Sequence, residues 1–141
     1  MNHNDRKVTL AIKELVGPPY PLLERIRMGG NGSTRLDVLT YSECFNEHFG
    51  RELDRKFLNI EVRPKGIVVY IKNKVNDFAW VVPYAHLRLD RSEGFCIHGP
   101  EGGIALAPTS VFPKNRSLVQ QIEQALRDPG STAGRERTPI P

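Results

Sequence analysis

At 141 residues, with 39% hydrophobic and 26% charged side chains, the chain has the composition of one globular domain with some appended structure. A formal net charge of +4 permits contact with an anionic lipid, a nucleic acid or an acidic protein and selects none of them. No apolar run approaches the roughly 20 residues of a membrane-spanning helix, Lys13 and Glu14 break up any signal-like start, and two cysteines make no disulfide framework, so a reduced, cytoplasmic protein is expected.

Val8, Ala11, Ile12, Leu15 and Val16 recur at helical spacing, with Asn4 or Asp5 as candidate caps. Gly17-Pro18-Pro19 ends that helix, because proline lacks the amide donor and the residue before it avoids helical geometry. The run PLLERIRM predicts a second short helix with Leu22, Leu23 and Ile26 as its apolar contacts. RMGGNGSTR follows. A Walker loop needs a lysine and a hydroxyl directly before a helix; Ser33 and Thr34 are present, the lysine is not, and no βαβ unit can be drawn for a dinucleotide fingerprint. The segment 29–34 is therefore read as a hinge in which Gly29, Gly30, Asn31 and Gly32 take positive φ. Arg27 and Arg35 receive no role. RLDVLTYSECFNEHFG then reads as a short extended piece and a helix near 42–50, capped by Ser42, stopped by Gly50, with Cys44, Phe45, His48 and Phe49 inward.

From residue 56 the apolar period becomes two. Phe57 lies opposite Leu58, Ile60 and Val62, and Pro64-Lys65-Gly66 supplies a turn. GIVVYIKN is apolar on both faces, as a central strand is. After a turn at 73–77, Phe78, Trp80, Val82 and Tyr84 share a face, and Pro83 marks a bend, a bulge or an edge. Leu87 and Leu89 point inward against His86, Arg88 and Asp90; Phe95 and Ile97 repeat the pattern, and Ile104 and Leu106 follow the GPEGG turn. Leu118, Val119, Ile122, Ala125 and Leu126 form an amphipathic stripe, capped by Asn115 or Ser117. The tail 129–141 has almost no apolar content and reads as disordered. Successive strands with short turns pair antiparallel, which makes the fold class α+β.

The runs GIVVYI, FAWVVPYAHL, GFCIHG and GGIALAP, ending in the helix SLVQQIEQAL, resemble the small bacterial members of the pleckstrin-homology-like superfold. The resemblance covers about half the chain, from Lys56 to Asp128. It implies a strongly bent antiparallel sheet of seven strands closed by a C-terminal amphipathic helix, of which five or six strands are countable here. The expectation is five to seven strands over 55–128, with residues 1–54 as a helical extension that either supplies a missing strand or has no counterpart. Fold analogy of this kind implies binding or scaffolding and establishes no function.

Cys44 and His48 are four apart on a predicted helix, and Cys96 and His98 two apart on a predicted strand. Together they make a Cys₂His₂ set that zinc accepts, at spacings unlike the usual knuckle. The competing reading makes Cys44 core filler and His98 a solvated side chain. Cys96 beside His98 or His86 lacks an orienting carboxylate for nucleophilic chemistry. Arg63, Lys65, Lys72 and Lys74 bracket two turns and form a cationic rim if those ends converge. The resemblance implies phosphorylated headgroups as ligands there, although Pro64-Lys65-Gly66 is short for a deep pocket. Diffuse charge, and Phe78, Trp80 and Tyr84 read as core, disfavour nucleic acid.

The expected function is a non-enzymatic binding or scaffold module without cofactor. Its partner would be another protein or a second copy, at a sheet edge beside Pro83 or in the helix–sheet groove. A small metal- or cysteine-dependent enzyme using Cys44, His48, Cys96 and His98 is the alternative. A weak anionic-lipid or phosphate binder is a further one.

Overall fold

A computed structural model of the chain describes residues 6–49, 56–71, 78–92 and 94–127. The expected caps Asn4 and Asp5, the stop at Gly50, the turn at 73–77 and the tail 129–141 lie outside the described residues.

Among these residues seven strands form: β1 (Leu36–Tyr41), β2 (Phe57–Arg63), β3 (Gly66–Ile71), β4 (Phe78–Pro83), β5 (Arg88–Asp90), β6 (Phe95–His98) and β7 (Gly103–Leu106). Five helices accompany them: α1 (Arg6–Val16), α2 (Leu22–Met28), α3 (Asn46–Phe49), α4 (Pro108–Val111) and α5 (Arg116–Arg127). The strands form one open sheet in the order β4-β3-β2-β1-β7-β6-β5, with every neighbouring pair antiparallel. The fold is α+β, as the alternation and the short turns predict. Pro83 lies on β4, an edge strand, where its missing donor is tolerated.

The sheet holds together through β1, which lies within the stretch 1–54 and divides its pairing. Its first residues pair with β2 (Leu36 with Leu58, Asp37 with Phe57), and its last with β7 (Thr40 with Ala105, Tyr41 with Ile104). The register to β7 shifts between Val38 and Thr40, so the intervening Leu39 falls at the irregularity and is exposed. An irregularity of this kind bends a strand and increases its twist, and here it falls where one half-sheet hands over to the other. A boundary at 54/55 therefore cuts through the sheet, because the extended piece before it is the central strand.

The inner faces of both half-sheets share one core, including Leu58, Ile60, Ile67, Val69, Trp80, Ile97, Ile104 and Leu106. Helix α5 closes it with Leu118, Val119 and Ile122, the same stripe the periodicity marks. Each large aliphatic side chain buried this way contributes about 1.5–3 kcal/mol. Asn115 precedes α5, but its carboxamide is turned to the loop before β1: its oxygen accepts from Thr34 N–H at 2.9 Å and its Nδ2 donates to Thr34 Oγ1 at 2.9 Å. Ser42 likewise makes no side-chain cap and accepts from Gly103 N–H at 2.9 Å.

Strand β3 is buried on both faces although only one strand, β4, separates it from the sheet edge. The outer face carries Val68 beside Ala79 of β4, and α1 covers both with Ile12 and Val16. Where α1 ends, a Cβ on Gly66 would lie 2.5 Å from the Val82 carbonyl oxygen, 2.7 Å from Pro83 Cα, and against the Val16 side chain. Replacing Gly66 by alanine is expected to cost about 1–3 kcal/mol of stability, measured as a lower urea midpoint. Gly66→Ala combined with Val16→Ala should cost less than the sum, because the two share a contact. Full additivity, or no loss at all, would contradict this packing of α1.

Candidate functional site

Helix α2 begins after Pro21 and ends at Gly29, whose φ of 78° is left-handed, with Gly30 N–H returning to the Arg25 carbonyl at 2.8 Å. Glycine supplies this helix stop without a Cβ penalty. Leu22, Leu23 and Ile26, expected as its apolar contacts, are instead 65%, 62% and 66% exposed. The spacing gives the helix correctly, but among the described residues no other element buries that face. What holds α2 to the body is its C-terminal end: Gln121 Nε2 donates to the Met28 and Gly30 carbonyls at 3.0 and 2.9 Å. Met28 and, just before the helix, Tyr20 pack against the main core.

Beneath this junction lies an apolar groove of about 400 Å³ between α5 and the end of the sheet, lined by Tyr20, Met28, Val62, Tyr84, Gln121 and Ala125. Tyr84 O–H donates to the Arg63 carbonyl at 3.0 Å. Burial raises the pKa of both tyrosines, with the nearby Glu24 adding to the effect at Tyr20. The sequence reading named the helix–sheet groove in general but not Tyr20 or Met28. The available signal was Tyr20 itself, an aromatic residue between prolines in GPPYP with no strand or helix period to belong to.

The glycine segment between α2 and β1 is tied down along its length. Gly29 and Gly30 have positive φ; Asn31 and Gly32 do not. Asn31 is buried, accepts from Val62 N–H at 2.7 Å and donates its Nδ2 to the Val62 carbonyl at 3.2 Å. Gly32 bridges Glu61, and Ser33 N–H donates to the Ile60 carbonyl while its Oγ accepts from Ile60 N–H. Residues 31–33 thus continue the pairing of β2 past the point where β1 leaves it. Arg35 stacks over the Phe57 ring at 4.5 Å, and Arg27 lies 3.7 Å from Glu24.

Of the expected cationic rim, Lys72 and Lys74 lie outside the described residues. Lys65 is exposed, while Arg63 is buried and turned to the outer face of the sheet. Its guanidinium donates to the Gly17 carbonyl at 2.9 Å and lies 3.0 Å from Glu61 Oε2, and Tyr70 O–H donates to Glu61 Oε1 at 2.6 Å. A cation at the C-terminal end of α1 also meets the negative end of that helix. Arg63 is therefore a clamp on α1 and not part of a surface rim, because its charge is already engaged.

The cysteines and histidines separate into two pairs. Cys44 is exposed, not inward, and its thiol lies 3.4 Å from the Glu101 carbonyl. His48 stacks on Phe78 with ring centroids 3.5 Å apart, and burial lowers its pKa. Both line a cleft of about 280 Å³ beside β4 with Phe45, Phe78 and Trp80. Cys96 and His98 line a different, more polar cleft of about 430 Å³ with Thr40, Ser42 and Arg88. Among the described residues no group of three His, Cys, Asp or Glu side chains is arranged to hold a metal ion. The two clefts share Glu101, whose carboxylate accepts from Trp80 Nε1 at 2.9 Å.

Comparison with protein-family models, with curated proteins and with solved structures found no match. Among the described residues no helix is long and apolar enough to cross a membrane.

Two outcomes test the Arg63 clamp. Arg63→Ala removes the cation from the Glu61 carboxylate, which keeps the Tyr70 hydrogen bond and 21% of its side-chain surface exposed, and should cost about 2–4 kcal/mol, below the full range for a buried pair. An unchanged urea midpoint would return Arg63 to the surface rim. The same cluster contributes to an alkaline limit, alongside the partly buried Tyr20 and Tyr84. Burial, and then the hydrogen bond to Glu61, push the Tyr70 hydroxyl up to about 12. The unfolded chain loses this proton near pH ~10 and the folded chain later, so stability is retained below ~10 and falls as pH rises toward ~12. Tyr70→Phe should flatten that decline; an equally steep decline in the variant would contradict the assignment.

Proposed function

We propose that this chain is a non-enzymatic binding module of pleckstrin-homology-like architecture whose partner is another protein docked on α2. Seven antiparallel strands followed by a C-terminal helix are what the resemblance implies, and they support that part of the reading. The observation that carries the docking surface is the exposure of Leu22, Leu23 and Ile26 on one short helix whose C-terminal end is held by Gln121. Single exposed aliphatics are ordinary, but a cluster on one element marks an interaction surface. Burying three such side chains is worth about 5–8 kcal/mol gross, of which association and ordering costs consume a large part. The groove at Tyr20, Met28 and Tyr84 opens beside the same helix and offers a partner a second apolar contact.

The test is Leu22→Asp with Ile26→Asp. Because both positions are exposed, the unfolding free energy from urea titration should change by no more than about 0.5 kcal/mol. Affinity purification from cells that express the chain should recover a partner with the parent chain and lose it with the variant. Retention of every partner by a folded variant would refute α2 as the docking surface.

A further inference from the structure

We infer that the segment that docks on α2 is an acidic amphipathic stretch of a partner protein. This inference rests on the reading of α2 as the docking surface and adds the chemistry of what binds there. At about 100° per residue, Leu22, Ile26 and Leu23 fall within one arc of the helix, in that angular order. Arg25 follows on one side of this arc and Arg27 on the other, both exposed. Glu24 and Met28, the two half-exposed residues, occupy the opposite side, toward the body. The apolar stripe therefore has a cation on each rim.

The balance of the wider arm agrees. Residues 6–28 carry Arg6, Lys7, Lys13, Arg25 and Arg27 against Glu14 and Glu24. One of those two carboxylates, on Glu24, lies 3.7 Å from Arg27 and moderates a single rim. A partner with its own aliphatic stripe flanked by Asp or Glu matches this surface in both terms. Apolar contact supplies affinity, and the charges supply orientation and a faster encounter.

A second copy of the chain fits less well, because a two-fold contact of α2 with α2 brings the same pair of arginines to both sides of the interface. A bilayer also fits less well: a helix of seven residues with three apolar side chains offers little area, and interfacial binding scales with buried apolar area.

The experiment replaces Ile26 with benzoylphenylalanine in the full chain, irradiates cells that express it, and sequences the cross-linked peptides. Adducts on protein segments rich in Asp and Glu are expected. Their yield should fall roughly tenfold with Arg25→Glu and Arg27→Glu and persist with Arg25→Lys and Arg27→Lys. Circular dichroism shows whether each variant remains folded; all three positions changed, 25, 26 and 27, are exposed. Adducts on neutral or basic segments, or acidic adducts indifferent to charge reversal, would overturn the inference and leave α2 as a docking surface. Adducts on a second copy of the chain or on lipid would overturn it in favour of those occupants. An absence of any adduct would overturn the docking surface itself.

Discussion

Strand β3 has apolar side chains on both faces, and that single constraint organises the N-terminal half of the molecule. Ile67, Val69 and Ile71 enter the main core, which leaves Val68 on the other side with no second sheet to meet. Helix α1 is the cover. Its stripe of Ile12 and Val16 takes the outer face, and the missing Cβ of Gly66 lets the helix end approach the strand backbone. The end of α1 is then closed from below: Lys65 N–H donates to the Val16 carbonyl at 2.8 Å, and Arg63 to that of Gly17. A helix so fixed at its exit leaves the following residues little choice of path. Pro18, Pro19 and Pro21 stiffen the next step, and α2 begins with Leu22 and Leu23 exposed. The helix that exposes an apolar face thus follows directly on the one that covers β3.

The glycine segment performs the return. Two residues of α2's terminus are held by Gln121 of α5, and the next three lie along β2 as a short continuation of the sheet. The chain then enters β1, whose irregularity redirects it toward β7 and β6. The same strand therefore connects the α1-covered half-sheet to the half that carries Cys96 and His98. Trp80 and Glu101 link these halves again at the other end, where the β6–β7 turn reaches the edge strand β4.

Much of this architecture was legible because side-chain period reports burial directly. The strands from 57 to 106 and the stripe of α5 fall where alternation and helical spacing put them. Period says nothing about what lies across from a face, and the misses follow from that. Leu22, Leu23 and Ile26 have helical spacing whether or not anything covers them. Arg63 reads as a surface cation because its burial depends on the Gly17 carbonyl, 46 residues away in the chain. LDVLTY is too short and mixed to announce a central strand, since half its side chains face neither core nor solvent fully. Ser42 and Asn115 stand at helix starts, where capping is the usual expectation, but Gly103 and Thr34 engage their side chains instead. For the candidate site, helical spacing sets Arg25 and Arg27 beside Leu22, Leu23 and Ile26, and only the fold shows that this face is exposed.

Docking on α2 requires that the helix present its aliphatic face to solvent in the folded, isolated chain. Native-state thiol labelling measures this directly in a background of Cys44→Ser and Cys96→Ala, with Ile26→Cys compared against Ile12→Cys. Position 26 should label at nearly the rate of the urea-unfolded chain, independently of protein concentration, while position 12 labels orders of magnitude more slowly, as expected for a site that opens only on unfolding. Protection of position 26 comparable to that of position 12 in dilute protein would show that the face is already covered, and would contradict the account.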